Sequence, residues 1–300
     1  MADKITQIYQ GEFEDFTWAG FGSGSGTNLA ALAQEVKPPA LIFCDRPSAD
    51  LLDQEKRPEL KDTPRIILNG YKDCGSYKAL DKITIPESKQ AALDEYIAKC
   101  KVFNEHILDE LRKFEKKSGK RLDLIVLGGY MRFVMDPLLE EFTDRIINVH
   151  PSCLLYNPRV KGKRDFIGED AVYEAIKIKQ WTTHSSVIIV DEGEDHGEIL
   201  AQGPKVPVWE EIRQPEFKEA DEKLIRKYAK IHQDRQKEVS DWPAFVWTLE
   251  MIANSRLALG SEKVHYNEWR RVYWKNNSEW LDKLPYGGFS TPHKEIKLAA

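Results

Sequence analysis

The chain has 300 residues, 41% of them hydrophobic and 31% charged, which suits one large domain or two modest ones around a real core. Forty-four lysines and arginines against 49 aspartates and glutamates leave a net charge of −5, a balance that argues against a nucleic-acid surface. Residues 1–15 form a polar, acidic lead without the apolar run of a secretory signal, and no stretch reaches the ~20 apolar residues that span a bilayer. These features predict a cytoplasmic protein with no membrane or nucleic-acid partner. Cys44, Cys74, Cys100 and Cys153 show no Cys-x-x-Cys spacing, so neither a metal site nor a disulfide framework is indicated and buried thiols are expected.

Strands and helices alternate along the chain. Residues 16–21 read as a first strand, followed by the glycine-rich turn Gly22-Ser-Gly-Ser-Gly-Thr-Asn28 and a helix over residues 29–36. That succession aims free backbone N–H groups and a helix amino terminus at an anion. The turn lacks the lysine of a P-loop and the glycine spacing of a dinucleotide fingerprint, and a tight structural turn would also use these glycines. Residues 40–44 and 64–68 are further strands, and residues 69–85 are a polar connection. From Pro86, the positions Leu93, Ile97, Cys100, Phe103, Ile107, Leu111 and Phe114 recur at steps of three and four. This predicts one amphipathic helix ending near Ser118-Gly119, its apolar stripe packed in the core.

Residues 123–130 form another apolar strand, and a short helix over residues 137–142 leads into residues 144–152, Asp-Arg-Ile-Ile-Asn-Val-His-Pro-Ser. Here Ile146, Ile147 and Val149 give a covered strand, and Pro151 stops it. Asn148 and His150 stand two residues apart on the same face at its carboxyl end, the edge where open parallel sheets bind ligands. A loop with Arg159, Lys161, Lys163 and Arg164 follows, read as solvated cations, then a helix over residues 169–180. Residues 185–190 are a strand closed by Asp191-Glu-Gly-Glu-Asp-His-Gly197, residues 199–206 a hairpin partner, and residues 217–239 and 242–259 helices. The tail from Gly260 is charged and aromatic, with Tyr266, Trp269, Tyr273, Trp274 and Trp280 expected to be packing anchors.

A histidine beside carboxylates can hold or pass a proton near neutral pH, and an adjacent amide can orient a carbonyl. Asn148, His150 and the acidic group Asp191, Glu192, Glu194 and Asp195 are the polar residues expected to converge. No serine or cysteine nucleophile sits in a recognisable elbow. The set therefore suits direct transfer between two substrates, or attack by water, better than a covalent intermediate. A structural strand-end histidine with a solvated acidic turn is the plainer alternative.

Four ordered motifs carry a resemblance: Ser23-Gly-Ser-Gly-Thr-Asn-Leu29, residues 123–132, Asn148-Val-His-Pro-Ser152 with Phe166-Ile-Gly168, and residues 187–197. Over roughly residues 16–259 the chain resembles the formyltransferase family typified by glycinamide ribonucleotide (GAR) formyltransferase. The resemblance implies an α/β fold with a Rossmann-like, mostly parallel sheet, helices on both faces and a helical carboxy-terminal extension. Residues 1–259 are then a formyltransferase-like domain and residues 260–300 an extension packed on it. It also implies 10-formyltetrahydrofolate as co-substrate, no metal, and a monomer or homodimer acting on small molecules. Residue by residue it implies Asn148, His150 and Asp195 as catalytic, Met131, Arg132, Phe133, Val134 and Asp191 as folate-binding, and Gly26, Thr27 and Asn28 as the acceptor's phosphate site.

The chain departs from the family pattern where the acceptor is held. Residues 153–165 carry an insertion, and Asp170 stands at or near a usual histidine. Ile188 replaces another, and His232-Gln233 stands where Glu-His is common. The acceptor amine implied by default is that of glycinamide ribonucleotide in purine biosynthesis. A sugar-amine acceptor, hydrolysis of the formyl donor by water, and a catalytically silent phosphate-binding scaffold are the alternatives.

Overall fold

The computed structural model describes residues 3–155, 164–213, 222–276 and 279–298. A two-residue strand β1 (Thr6–Gln7) precedes β2 (Trp18–Gly22), α1 (Thr27–Glu35), β3 (Leu41–Cys44), β4 (Arg65–Ile67), α2 (Gly70–Cys74) and α3 (Pro86–Ser118). Then come β5 (Leu124–Leu127), α4 (Leu138–Glu141), β6 (Ile146–His150), α5 (Ala171–Lys177), β7 (Thr182–Thr183), β8 (Ser186–Ile189), β9 (Ile199–Gln202) and β10 (Val206–Pro207). The chain closes with α6 (Glu210–Arg213), α7 (Glu222–Gln236), α8 (Trp242–Ala253), β11 (Leu257–His265), β12 (Trp269–Asn276), β13 (Glu279–Lys283) and β14 (Phe289–Ser290). The fold is α/β, and it falls into two compact units.

One unit comprises residues 17–30 and 38–146. Its strands run parallel in the order β5-β2-β3-β4, with Phe21 in register with both Phe43 and Leu127. Every residue of β2, β3 and β5 is buried, as expected for parallel strands covered on two faces, so these runs are continuously apolar rather than alternating. The helix predicted from Pro86 is α3: the proline opens its first turn, and Gly119, at φ +69°, closes it with an N–H donated to the Glu115 carbonyl at 2.9 Å. Its buried stripe, Tyr96, Cys100, Phe103, Ile107 and Leu111, follows the helical period. The polar connection over residues 69–85 contains α2, which Asn69 caps by accepting the Lys72 N–H at 3.1 Å.

The other unit comprises residues 1–16, 31–37 and 147–300. Strand β6 pairs antiparallel with β8, β8 antiparallel with β9, and β9 parallel with β14. A second sheet runs antiparallel in the order β1-β11-β12-β13. Helices α5 and α7 enclose an apolar cluster of Val172, Tyr173, Ile176, Val208, Ile212 and Ala229. The helical part near the carboxy terminus is α7, a π-turn over Lys237–Asp241, and α8; residues 214–221, where that helix was expected to start, lie outside the described residues.

Beyond Leu257 the extension is β rather than helical. Val264, Trp269, Val272, Tyr273 and Trp274 favour a pleated surface. The reversal between β11 and β12 uses Tyr266 and Asn267, both at positive φ, as a tight hairpin turn demands. Trp274 meets Phe289 of β14 with ring centroids 5.3 Å apart, and Trp269 and Tyr273 are buried, so these three of the expected aromatics do serve as packing anchors. Among the described residues, no helix is long and apolar enough to cross a membrane.

Candidate active site

Strand β6 presents Asn148 and His150 at its carboxyl end, opposite Ile188 and Ser186 of β8. The Pro151 carbonyl accepts an N–H from Gln236 at 2.9 Å, which holds the chain as it leaves the strand. His150 is buried, and both ring nitrogens face oxygens: Nδ1 lies 3.2 Å from Asp195 Oδ2, and Nε2 lies 2.8 Å from the Phe166 carbonyl. The carbonyl is an obligate acceptor, so Nε2 carries a proton and donates to it. A ring with a second proton on Nδ1 then satisfies both neighbours. Among the described residues the Asn148 amide has no hydrogen-bond partner, which leaves its N–H groups available to a guest.

Asp195 sits at φ +48°, in the left-handed region. Its Oδ2 also accepts the Gly168 N–H at 2.9 Å, so the segment after the strand is tied to the acidic turn. Phe166, likewise at positive φ (+58°), turns its carbonyl toward His150 and accepts a second bond from Ser152 Oγ at 2.8 Å. Burial first, and then the Asp195 charge, push the neighbouring Glu194 carboxyl above the usual range. Asp191 is engaged elsewhere: its carboxylate meets His196 Nδ1 at 2.7 Å and accepts the Gly193 N–H at 3.0 Å. The hydrogen bond to Asp191 raises the His196 imidazole above its ordinary value.

The cation loop divides. Arg159, Lys161 and Lys163 lie outside the described residues. Arg164, expected to be solvated, is buried: Nη1 donates to the Asp195 carbonyl at 2.7 Å and the guanidinium lies over the Trp269 ring at 4.5 Å. A planar cation with an apolar stem can be buried in this way once a ring and a carbonyl face it. His232, at the position where the family pattern differs, is buried as well. Fully buried, it bonds Thr183 Oγ1 at 2.7 Å and meets Trp209 edge-on, and burial lowers its imidazole to about 4. A ring packed this way is part of the core and does not face an acceptor. Asp170 pairs with Arg226 at 3.1 Å. Burial pushes the Cys153 thiol up, away from nucleophilic use.

The glycine-rich turn and residues 131–134 belong to the other unit. Gly26 has φ +72°, and a Cβ there would fall 2.5 Å from Leu51 Cδ1, so this position requires glycine. Helix α1 starts directly at Thr27 and Asn28, whose main-chain N–H groups lie in the first turn, before the i→i−4 ladder begins. In the 131–134 segment, the Met131 N–H donates to Ser23 Oγ at 3.0 Å and the Phe133 carbonyl accepts from Asn104 Nδ2 at 2.9 Å. Met131 is 42% exposed. The Arg132 side chain turns inward to a buried ion pair with Asp45 at 2.6 Å, donates to the Gly75 carbonyl at 3.2 Å, and packs over Tyr71. This arginine anchors the segment's backbone and does not present its charge. Asp45 and Gln236 are lone polar residues without a motif, and Ser152, although it closes the His-Pro-Ser run, carries no local signal of its Phe166 partner.

The family model described as formyl transferase matches residues 47–223, a span holding β6 and the Asp195 turn but neither the glycine-rich turn nor β11–β14. Over 191 residues the chain is 31% identical to the phosphoribosylglycinamide formyltransferase of Bacillus subtilis (strain 168), covering 62% of this chain and 76% of that protein. Glycinamide ribonucleotide transformylase 1 from Symbiobacterium toebii aligns with a TM-score of 0.54 at 22% identity, over 86% of this chain and 93% of that one. A formyltetrahydrofolate deformylase from Pseudomonas syringae pv. tomato aligns with a TM-score of 0.52 at 15% identity, over 88% of this chain and 67% of that one. At these identities the two solved structures speak to the fold alone.

Proposed function

Because this chain belongs to the formyl transferase family, we propose that it moves a formyl group from 10-formyltetrahydrofolate to the amine of glycinamide ribonucleotide. The observation that carries the reading is the buried His150–Asp195 pair beside the unengaged amide of Asn148, contributed by the end of β6 and by the acidic turn that follows β8. Residues 131–134 suit the flat, amide-rich edge of a pterin. Ser23 and Asn104 hold their backbone, the one cation is withdrawn to Asp45, and Met131 remains exposed. The α1 amino terminus at Gly26, Thr27 and Asn28 suits the acceptor's phosphate.

When bound, the folate supplies an electrophilic formyl carbon. The residues of the chain then divide the work. Asn148 donates from its amide to the negative charge that develops on the formyl oxygen as the amine attacks, and His150 donates from Nε2 once that oxygen takes the place of the Phe166 carbonyl as its acceptor. Asp195 keeps the imidazole oriented and protonated through Nδ1, and accepts the proton the amine must lose, for return to the folate nitrogen as its bond to the formyl carbon breaks. Burial of His150 and Asp195 strengthens each of these interactions relative to water. The reaction is placed in the cytoplasm, on small-molecule substrates.

Tetrahydrofolate release from 10-formyltetrahydrofolate, measured with and without glycinamide ribonucleotide, tests this. Release that requires the ribonucleotide and is lost in His150→Ala is the expected result. Equal release without acceptor would instead mark a hydrolase. Release only with an amino sugar would move the acceptor, and none with any amine would leave a silent scaffold.

A further inference from the structure

The strands beyond the matched family span reach the back of the acidic turn. The turn is held at successive points from Asp195 to Glu198, first by its main chain and then by a side chain. Arg164 Nη1 donates to the Asp195 carbonyl at 2.7 Å, and Trp269 Nε1 donates to the His196 carbonyl. Arg270 grips the Glu198 carboxylate through Nε at 2.7 Å and Nη2 at 2.9 Å, and its backbone N–H adds a third bond at 3.1 Å. Arg164 is itself fixed by the Trp269 ring beneath its guanidinium and by Tyr286, whose hydroxyl lies 3.4 Å from Nε. Arg164, Trp269 and Glu198 are all buried.

Such a clamp has a physical purpose at this place. A non-glycine residue in the left-handed region is strained by about 1 kcal/mol or more and persists only where its surroundings over-determine it. Asp195 is in that conformation, which is what brings Oδ2 to both the Gly168 N–H and His150 Nδ1. The bond to the Asp195 carbonyl fixes the peptide plane that follows its Cα, and the bond to the His196 carbonyl fixes the next plane along the turn. Trp269, Arg270 and Tyr286 all lie after residue 223, where the family match ends.

We propose that β12 of the carboxy-terminal extension, with Arg164 as its link, positions Asp195 against His150, so that Arg164, Trp269 and Arg270 are positioning residues for the formyl transfer. This rests on the catalytic reading of Asp195 given above. A displacement of about 1 Å in a catalytic group can cost ~100-fold in rate, so Arg164→Gln is expected to lower kcat by about that factor while the KM of each substrate changes little. Trp269→Phe keeps the ring under the guanidinium and loses only the indole donor, so its loss should be smaller than that of Trp269→Leu.

Two measurements on the full chain decide the matter. One is kcat and KM for wild type, Arg164→Gln, Trp269→Phe and Trp269→Leu, with the melting temperature of each. The other is the downfield Nδ1–H proton resonance of His150, assigned by its loss in Asp195→Asn. A resonance shifted or lost in Arg164→Gln, with reduced kcat and a graded Trp269 series, is the expected result. Wild-type resonance and kcat in a variant whose melting temperature alone falls would overturn the proposal and leave the extension as packing. If Asp195→Asn itself retains full kcat, the catalytic reading fails. The resonance in Arg164→Gln still decides positioning: altered supports it, unaltered overturns it.

Discussion

Oδ2 of Asp195 lies 3.2 Å from His150 Nδ1 and accepts the Gly168 N–H at 2.9 Å with the same oxygen. One carboxylate thereby orients the ring and fastens the segment whose Phe166 carbonyl meets the ring's other nitrogen. Asp195→Asn keeps the size and can still accept from Gly168, but it loses the charge that faces Nδ1. The expected loss in kcat is about 10²–10⁴-fold, the range for removal of an acid–base partner, with an unchanged melting temperature. Steady-state tetrahydrofolate release together with thermal unfolding checks both. A variant with wild-type kcat would remove Asp195 from the mechanism.

Asn148 and His150 were legible because strand geometry alone puts residues two apart on one face, and Pro151 marks where the strand must stop. The long helix was equally legible, since both its period and its caps are local. What was hidden depends on pairs far apart in the chain. Arg132 meets Asp45 across 87 positions, and Trp269 meets the His196 carbonyl across 73. Neither partner belongs to a spacing pattern, and an arginine among loop cations looks solvated until the ring that covers it is known. Positive φ at Phe166 is likewise imposed from outside, because phenylalanine does not ask for it, and an aspartate such as Asp195 tolerates that conformation without announcing it. The β extension was obscured by its charges, which alternate with aromatics too irregularly to show a period of two.

The Arg132–Asp45 pair is almost wholly removed from solvent, which makes it costly to break from one side. Asp45→Asn would leave the guanidinium buried between the Tyr71 and Phe103 rings without a counter-charge. Loss of one partner of a buried pair typically costs about 3–5 kcal/mol, whereas replacing both by apolar residues costs far less. Denaturant unfolding of Asp45→Asn, and of the double variant Asp45→Leu with Arg132→Met, should show this order. If the single variant is as stable as wild type, the anchoring of residues 131–134 does not come from this pair. In the proposed reaction the single variant should also raise the KM for the folate before it touches that of the acceptor.

His232 makes stability depend on acid in a defined window. Burial lowers its imidazole from 6.5 to about 4 in the folded chain, so between those values the unfolded chain binds the proton that the folded one refuses. Stability therefore rises with pH through the window, and it is lost as pH falls from about 6.5 toward 4. A difference of that size corresponds to roughly 3 kcal/mol once pH is below both values. His184, also lowered to about 4, first by burial and then by Lys205, adds in the same window. His232→Gln can still bond Thr183 Oγ1 and has no proton to gain. Whatever it costs at pH 7, its unfolding free energy should therefore fall less steeply than that of wild type between pH 6.5 and 4. Urea unfolding of both proteins across that range measures the two slopes. Parallel slopes would mean that His232 is protonated in the folded chain, with Thr183 Oγ1 accepting from the charged ring.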